Sequence, residues 1–303
     1  MSNVADMIDA VRSAGSVGLR GHSSRKVPLG ERRPDVWVGA PSGVVEFQAD
    51  EMTVRCGAGT PVVELQSLLA ERRQFVNLPD STNGTIGGAL ATGVSGLHTL
   101  GCGSIRDTLL EMKFVDHEGR LVKAGGPTVK NVSGFDLCRL FVGSFGVLGF
   151  AHEFVLRTRP LPSSRFWFSA GVANVDELRE VQVAFFRPWS LLWNGERAWL
   201  CLAGDPRDID EQIAADRRSW EVVGGPPDLG GMTRRRVAPN ALPDVVAAGA
   251  GRAVGEVGVG VVHQPEPFFE PVVDRARQAV VERVLRAFDP LGRLNPQIDR
   301  AYL

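Results

Sequence analysis

The sequence predicts an α+β fold in two domains, and three observations carry that prediction. Over the first half, glycine-rich loops alternate with short apolar runs of strand and helix character. From Arg165 onward the pattern changes to a β-α-β-β-α-β order, a small antiparallel sheet backed by helices in a ferredoxin-like arrangement. At 303 residues the chain is long enough for two cores.

The elements follow in order. Val4, Met7, Ile8 and Val11 share one face of a helix over residues 3–14. That stretch contains acidic residues and no continuous apolar core, so it is not expected to be a signal peptide. No apolar run reaches the ~20 residues that span a bilayer. SVGLR (16–20) reads as a strand leading into the loop Gly21-His22-Ser23-Ser24. VVEFQ (44–48) and MTVRC (52–56) read as two strands joined by a turn. Thr60 caps a helix with Pro61 at its first position and Val62, Leu65, Leu68 and Leu69 facing inward. Residues 89–92 form a short helix ended by Gly93, and residues 109–125 form a hairpin with His117 exposed in its turn.

The stretch from Gly125 to Gly149 organises the chain. Ser133 and Asp136 stand at helix-start spacing, and Leu137, Leu140 and Phe141 give one buried face. Gly143-Ser144-Phe145-Gly146 breaks this helix before a strand, VLGFAHEFVLR. In the second half, RFWFSAG is a strand and a helix follows Asn174. SLLWNG and RAWLCLAG form a hairpin around Asn194-Gly195, DIDEQIAADRRSW is a helix, and GEVGVGVVHQ is a further strand. A last helix over 271–288 places Val273, Ala276, Val280, Val284 and Leu285 on one face. The expected domains are 1–162, 163–286, and a segment 287–303 that returns to the first.

Composition narrows the functional classes. A formal net charge of −1 gives no reason to expect a nucleic-acid partner. The four cysteines (Cys56, Cys102, Cys138, Cys201) are isolated, which argues against a metal or iron–sulfur site and suits a reducing cytoplasm. Of the arginine runs, only Arg234-Arg235-Arg236 is kept as a docking patch; the simpler reading is a solvated surface.

Three loops suit phosphate contact: Gly21 to Ser24 after a strand, Thr85-Ile86-Gly87-Gly88, and the glycine-flanked helix start near Ser133. Glycines let a ligand touch backbone, and helix N–H groups attract anions. Ser95, Gly96 and the pair Arg106-Asp107 are placed near the same site. Together the loops suggest one long dinucleotide.

Five segments in this order resemble a known superfamily: VRSAGSVGLRG, MTVRCGAGTPVVELQSLLA, the run from Gly84 to Gly126, VKNVSGFDLCRLFVGSFGVLGFAHEFVLRTRPLP, and FDPLGRLNP. It is the FAD-binding superfamily of the vanillyl-alcohol oxidase and p-cresol methylhydroxylase (PCMH) type. Within it the chain is similar to the FAD-binding subunits of bacterial glycolate oxidases. The resemblance implies a two-subdomain FAD-binding domain with a small α+β cap. It also implies an FAD-dependent oxidoreductase subunit acting on a 2-hydroxy acid. Its partners would be a catalytic flavoprotein subunit and an iron–sulfur subunit, in the cytoplasm or peripherally at the inner membrane. By position, Gly21, His22, Ser23 and Ser24 would hold the pyrophosphate. Thr85, Ile86, Gly87, Gly88, Ser95 and Gly96 would line its other side, with Arg106 and Asp107 close by. Asn131, Ser133, Gly134 and the backbone of Gly146, Val147 and Leu148 would contact the adenosine half or hold the sheet beneath it, and Asn295 would return toward the flavin.

Some superfamily members bond a histidine of the first loop to the flavin. Here that loop is shorter, and non-covalent FAD is expected despite His22. Related catalytic subunits carry a histidine-rich metal site in the second domain. This chain has His263 there without a second histidine at ligand spacing, so no catalytic base and no metal site are assigned. A non-catalytic FAD-holding or electron-transfer subunit is therefore the alternative. UDP-N-acetylenolpyruvoylglucosamine reductase fits poorly, since it needs a tyrosine–arginine pair and the single tyrosine is Tyr302.

Overall fold

The computed structural model describes residues 3–24, 27–79, 83–126, 136–265 and 275–303. It divides into two compact units. The first comprises Met1–Gly96, Ser104–Leu161 and Pro271–Leu303; the second comprises Leu97–Gly103 and Pro162–Glu270.

The first unit holds two cores. The smaller forms where helix Val4–Ser13 packs Met7 and Val11 with Val17, Val115, Phe150 and Leu294. Asn3 and Asp6 cap that helix reciprocally, each side chain accepting the other's backbone N–H. Strand β1 (Val17–Arg20) pairs in parallel with β2 (Val36–Gly39), and Val17 bridges Leu294 on its other side. The terminal segment is thereby built into the N-terminal layer.

The larger core lies against a five-stranded antiparallel sheet, ordered β3-β4-β8-β6-β7. Its strands are β3 (Val44–Gln48), β4 (Thr53–Gly57), β6 (Leu109–Val115), β7 (Leu121–Gly125) and β8 (Phe150–Arg157). The short β5 (Gln74–Phe75) pairs with β9 (Arg159–Pro160). Alternation sends Val54, Cys56, Met112, Phe154 and Leu156 into the core. Arg55 points the other way into an ion-pair network with Glu111 (3.2 Å) and Glu153 (2.9 Å).

Three local readings need correction. The helix after Thr60 begins at Val62 with Pro61 as its cap; the Thr60 hydroxyl instead bonds the Gly57 carbonyl at 2.7 Å. In helix Leu137–Phe141 the buried residues are Cys138 and Phe141, and Leu140 is 39% exposed. One turn is too short for an i, i+3, i+4 stripe to cover a core. In helix Arg275–Phe288, Val280 is exposed, and Val281, Val284, Leu285 and Phe288 pack on the core. Val284 and Leu285 hold their expected place, while Ala276 and Val280 are exposed and Val281 and Phe288 join the stripe. Ser133 and Val273 lie outside the described residues.

The second unit is a seven-stranded antiparallel sheet in the order β13-β10-β12-β11-β15-β16-β14. Its strands are β10 (Ser164–Gly171), β11 (Ser190–Trp193), β12 (Arg197–Gly204), β13 (Glu221–Val223), β14 (Thr233–Arg236), β15 (Val254–Glu256) and β16 (Val261–Gln264). Helices Val175–Ala184, Pro206–Ala215 and Leu242–Ala248 pack Leu178, Val181, Ile209 and Val246 with Phe168, Leu191, Trp193 and Leu200. Asn174 caps the first of these helices by accepting the Glu177 N–H at 2.9 Å. A separate cluster holds Trp167, Leu192, Cys201 and Val254 with Leu97 and Trp199.

The expected β-α-β-β-α-β unit is present, but its last strand is β13. GEVGVGVVHQ is a hairpin, because Gly258 and Gly260 adopt φ of +79° and +78° and fold the chain back. It lengthens the sheet beyond the ferredoxin-like core.

The terminal helix gives a direct check on the buried stripe. Leu285→Ala is expected to cost about 2–5 kcal/mol, and Val280→Ala to stay within about 0.5 kcal/mol. Urea-unfolding midpoints of the two variants measure the contrast.

Candidate functional site

Within the first unit, a ring of contacts joins the loops singled out from the sequence. Asn295 Oδ1 accepts the Leu19 N–H at 2.7 Å, and its Nδ2 donates to the Phe145 carbonyl at 2.7 Å. Phe145 in turn donates its N–H to the Ala91 carbonyl at 2.8 Å, and Gly143 donates to Leu90 at 2.9 Å. This docks the 143–146 turn onto the C-terminal end of helix Ile86–Thr92. At the other end, Thr85 caps the helix, and a Cβ on Gly21 would lie 3.1 Å from Thr85 Oγ1. Gly21 stands two residues after Leu19, which closes the ring. Ser23, Phe145 and Asn295 adopt positive φ (52°, 52° and 45°), a strained conformation that clusters where tertiary contacts enforce it.

The ring separates residues that hold the site from residues that face outward. Thr85 Oγ1 accepts the Gly88 N–H at 3.0 Å, Ile86 donates to the Thr60 carbonyl, and Gly87 donates to the Ala58 carbonyl. The helix N–H groups are therefore occupied, and Gly87 and Gly88 offer close approach rather than donors. Gly87 is required there, since a Cβ would meet the Ala58 carbonyl oxygen at 2.8 Å. Ser95 accepts the Ile105 N–H at 2.9 Å, and Gly96 packs on Asn77 and Leu78. Asp107 caps helix Ile105–Thr108 through Ser104 and reaches Arg139 at 3.5 Å, while Arg106 donates to the Val142 carbonyl at 3.3 Å. Val147 and Leu148 are buried in the core.

Gly21, His22, Ser23 and Ser24 are exposed, and the His22 ring lies 3.2 Å from the Asn83 carbonyl through Nδ1. The Ser23 and Ser24 hydroxyl and N–H groups make no hydrogen bond among the described residues. Asn131, Ser133 and Gly134 lie outside the described residues.

The second unit carries two polar clusters that sequence reasoning missed. Glu256 is 1% exposed, and its Oε1 accepts from His263 Nε2 at 2.8 Å and from Arg234 at 3.0 Å. Burial pushes the Glu256 carboxyl up, but the hydrogen bond from His263 and the charge of Arg234 outweigh it and hold the group below the usual carboxylate range. Glu256 Oε2, Arg234 Nε and Gln264 Nε2 are buried without a hydrogen-bond partner. Within a single strand, residues 256 and 263 would fall on opposite faces. The hairpin turn puts them side by side.

The other cluster centres on His98, which belongs to this unit and joins His263 as a second histidine there. Ser190 donates to the Leu97 carbonyl at 2.7 Å, so it accepts from His98 Nδ1–H at 3.0 Å. His98 Nε2 then faces the Arg165 guanidinium at 3.2 Å as an acceptor. Burial, and then the Arg165 charge, lower the His98 pKa to about 4.

Comparisons with known proteins identify the first unit's chemistry. Residues 4–125 match the family model described as FAD binding domain. The match indicates FAD as the ligand. Glycolate oxidase subunit GlcE of Escherichia coli (strain K12) is 26% identical over 207 residues, covering 66% of this chain and 57% of that protein. D-lactate dehydrogenase of Archaeoglobus fulgidus is 33% identical over 117 residues, 38% of this chain and 26% of that protein. The chain thus matches 57% and 26% of the lengths of these relatives. The solved alkyldihydroxyacetonephosphate synthase shares the fold with a TM-score of 0.70 at 14% identity, over 97% of this chain and 74% of that one. Among the described residues no helix is long and apolar enough to cross a membrane.

The first unit fits FAD. An exposed polar loop, Gly87 with no room for a side chain, and a buried acceptor without a partner, Gln297 Oε1, all belong to that unit.

His98 predicts a pH dependence. The folded state keeps it neutral down to about pH 4, whereas the unfolded chain protonates near ~6.5. Between those values the unfolded state binds more protons, so stability falls as pH drops from ~6.5 toward 4 and levels off below. The contribution reaches at most ~1.4 kcal/mol per pH unit. His98→Gln should flatten this part of the profile in urea unfolding at a series of pH values.

Proposed function

We propose that this chain is an FAD-binding oxidoreductase subunit of an assembly that oxidises a 2-hydroxy acid. The observation that carries the reading is the closed ring in the unit matched as an FAD binding domain. In this reading Gly21, His22, Ser23 and Ser24 contact the pyrophosphate, and Gly87 and Gly88 let the dinucleotide lie against backbone. Thr85, Ser95, Asp107 and Asn295 act by holding those loops. Bound flavin supplies the hydride- or electron-accepting chemistry. Similarity to subunit GlcE supports an assembly with a second flavoprotein subunit. An iron–sulfur subunit that removes electrons, and attachment at the inner membrane through partners, complete the proposal.

The second unit supplies polar atoms suited to a hydroxy acid. Arg234 Nε and Gln264 Nε2 are buried donors for a carboxylate, and Glu256 Oε2 is an acceptor for a hydroxyl proton. A second reading, a subunit that holds FAD without turnover, is favoured by one observation. Glu256 Oε1 already takes hydrogen bonds from both His263 and Arg234. Among the described residues no group of three or more His, Cys, Asp or Glu could hold a metal ion.

The visible spectrum before and after acid precipitation tests the cofactor. Bands near ~370 and ~450 nm should leave with the supernatant, as for non-covalent flavin; a protein that stays colourless after reconstitution contradicts the proposal. Anaerobic bleaching by glycolate or D-lactate supports turnover by the isolated chain. Bleaching by dithionite alone supports the second reading.

A further inference from the structure

The C-terminal segment carries a buried side-chain oxygen without a protein partner, Gln297 Oε1. Asn295 Oδ1 accepts from Leu19 N–H and also from Gln297 Nε2 at 3.2 Å. Oδ1 has lone pairs only, so the Gln297 atom facing it must be the amide NH2. That fixes the amide's orientation through the network, and Oε1 points the other way. Gln297 is 6% exposed, and Oε1 has no partner.

The backbone that carries this side chain is held on both sides. The Gln297 carbonyl accepts the Gly30 N–H at 2.8 Å, Leu29 bridges Ile298, and the Ile298 N–H bonds back to the Asn295 carbonyl. A buried carbonyl oxygen without a donor is unfavourable, and one held this rigidly is a preformed acceptor. It lies one hydrogen bond from Asn295, which is joined to Leu19 just before the Gly21–Ser24 loop and to the Phe145 turn.

We infer that Gln297 Oε1 accepts a hydrogen bond from the bound dinucleotide, from either a sugar-chain hydroxyl or an N–H of the flavin ring. The inference rests on FAD lying along the Asn295 ring. It adds Gln297 as a cofactor-contacting residue at the end of the chain farthest in sequence from the first loop.

The test compares wild type with Gln297→Leu, which keeps the bulk and removes both the acceptor and the Nε2 donor to Asn295. Apoprotein of each is titrated with FAD well below both melting temperatures, so that both are folded. The expected result is a Kd weakened about tenfold in the variant, the size of one lost hydrogen bond. A Kd equal to wild type overturns the inference, even if the variant's apoprotein melts lower. Titration with 3-methyl-FAD separates the donors. Weaker binding of that analogue to wild type but not to the variant assigns the flavin N–H. Weaker binding of an FAD analogue lacking a ribityl hydroxyl to wild type but not to the variant assigns a hydroxyl; a loss in the variant of the same size with every analogue means that Gln297 acts through Asn295 and overturns the inference. A wild-type protein that binds no FAD would instead fail the placement of the cofactor itself.

Discussion

The hydrogen bonds of Asn295 hold the first unit's loops in place. One small amide ties the strand that delivers the first loop, the turn that follows helix Leu137–Phe141, and the terminal segment. Its own backbone sits at φ 45°, a conformation asparagine tolerates better than most residues. Because the side chain is 4% exposed, each of its bonds is shielded from water, and losing it would leave Leu19 N–H and the Phe145 carbonyl without their partner. The strained φ at Phe145 is sustained by the same set of contacts.

That arrangement changes how the site acts. Glycine-rich loops beside a helix start suggest backbone N–H groups turned toward an anion. Here Ile86, Gly87 and Gly88 have given their N–H groups to Thr60, Ala58 and Thr85. In the proposed reading the helix serves as a wall, and donors come from the exposed Ser23 and Ser24. Hydroxyl-bearing residues near the site act mostly as internal clasps. The second unit shows the same economy of polar groups, with Glu256 bonded to His263 and Arg234 through one oxygen while the other remains available.

Much of the architecture was legible because periodicity and turn chemistry report burial directly. The N-terminal helix, the hairpins at 109–125 and 190–204, and the cap at Asn174 follow from local pattern alone. Other features depend on tertiary context. The valine–glycine alternation of GEVGVGVVHQ is compatible with a strand, and only positive φ at Gly258 and Gly260 makes it a hairpin. Val280 and Val281 are equally apolar neighbours, and which one is buried depends on how the helix meets its core. The loops of the candidate site were recognisable by residue type, but the partners of Thr85, Ser95 and Asp107 were not. His98 carries no local signal, since its partner Ser190 stands 92 positions away, and the role of Gln297 depends on Asn295, which is itself joined to Leu19 276 positions away.

Hydrogen exchange followed by mass spectrometry, on apoprotein and on protein loaded with FAD, tests the ring as the seat of the dinucleotide. The account predicts added protection over residues 19–24, 85–96 and 143–148 together with 294–298, and little change across the seven-stranded sheet. Protection confined to that sheet, or none on adding FAD, would contradict it.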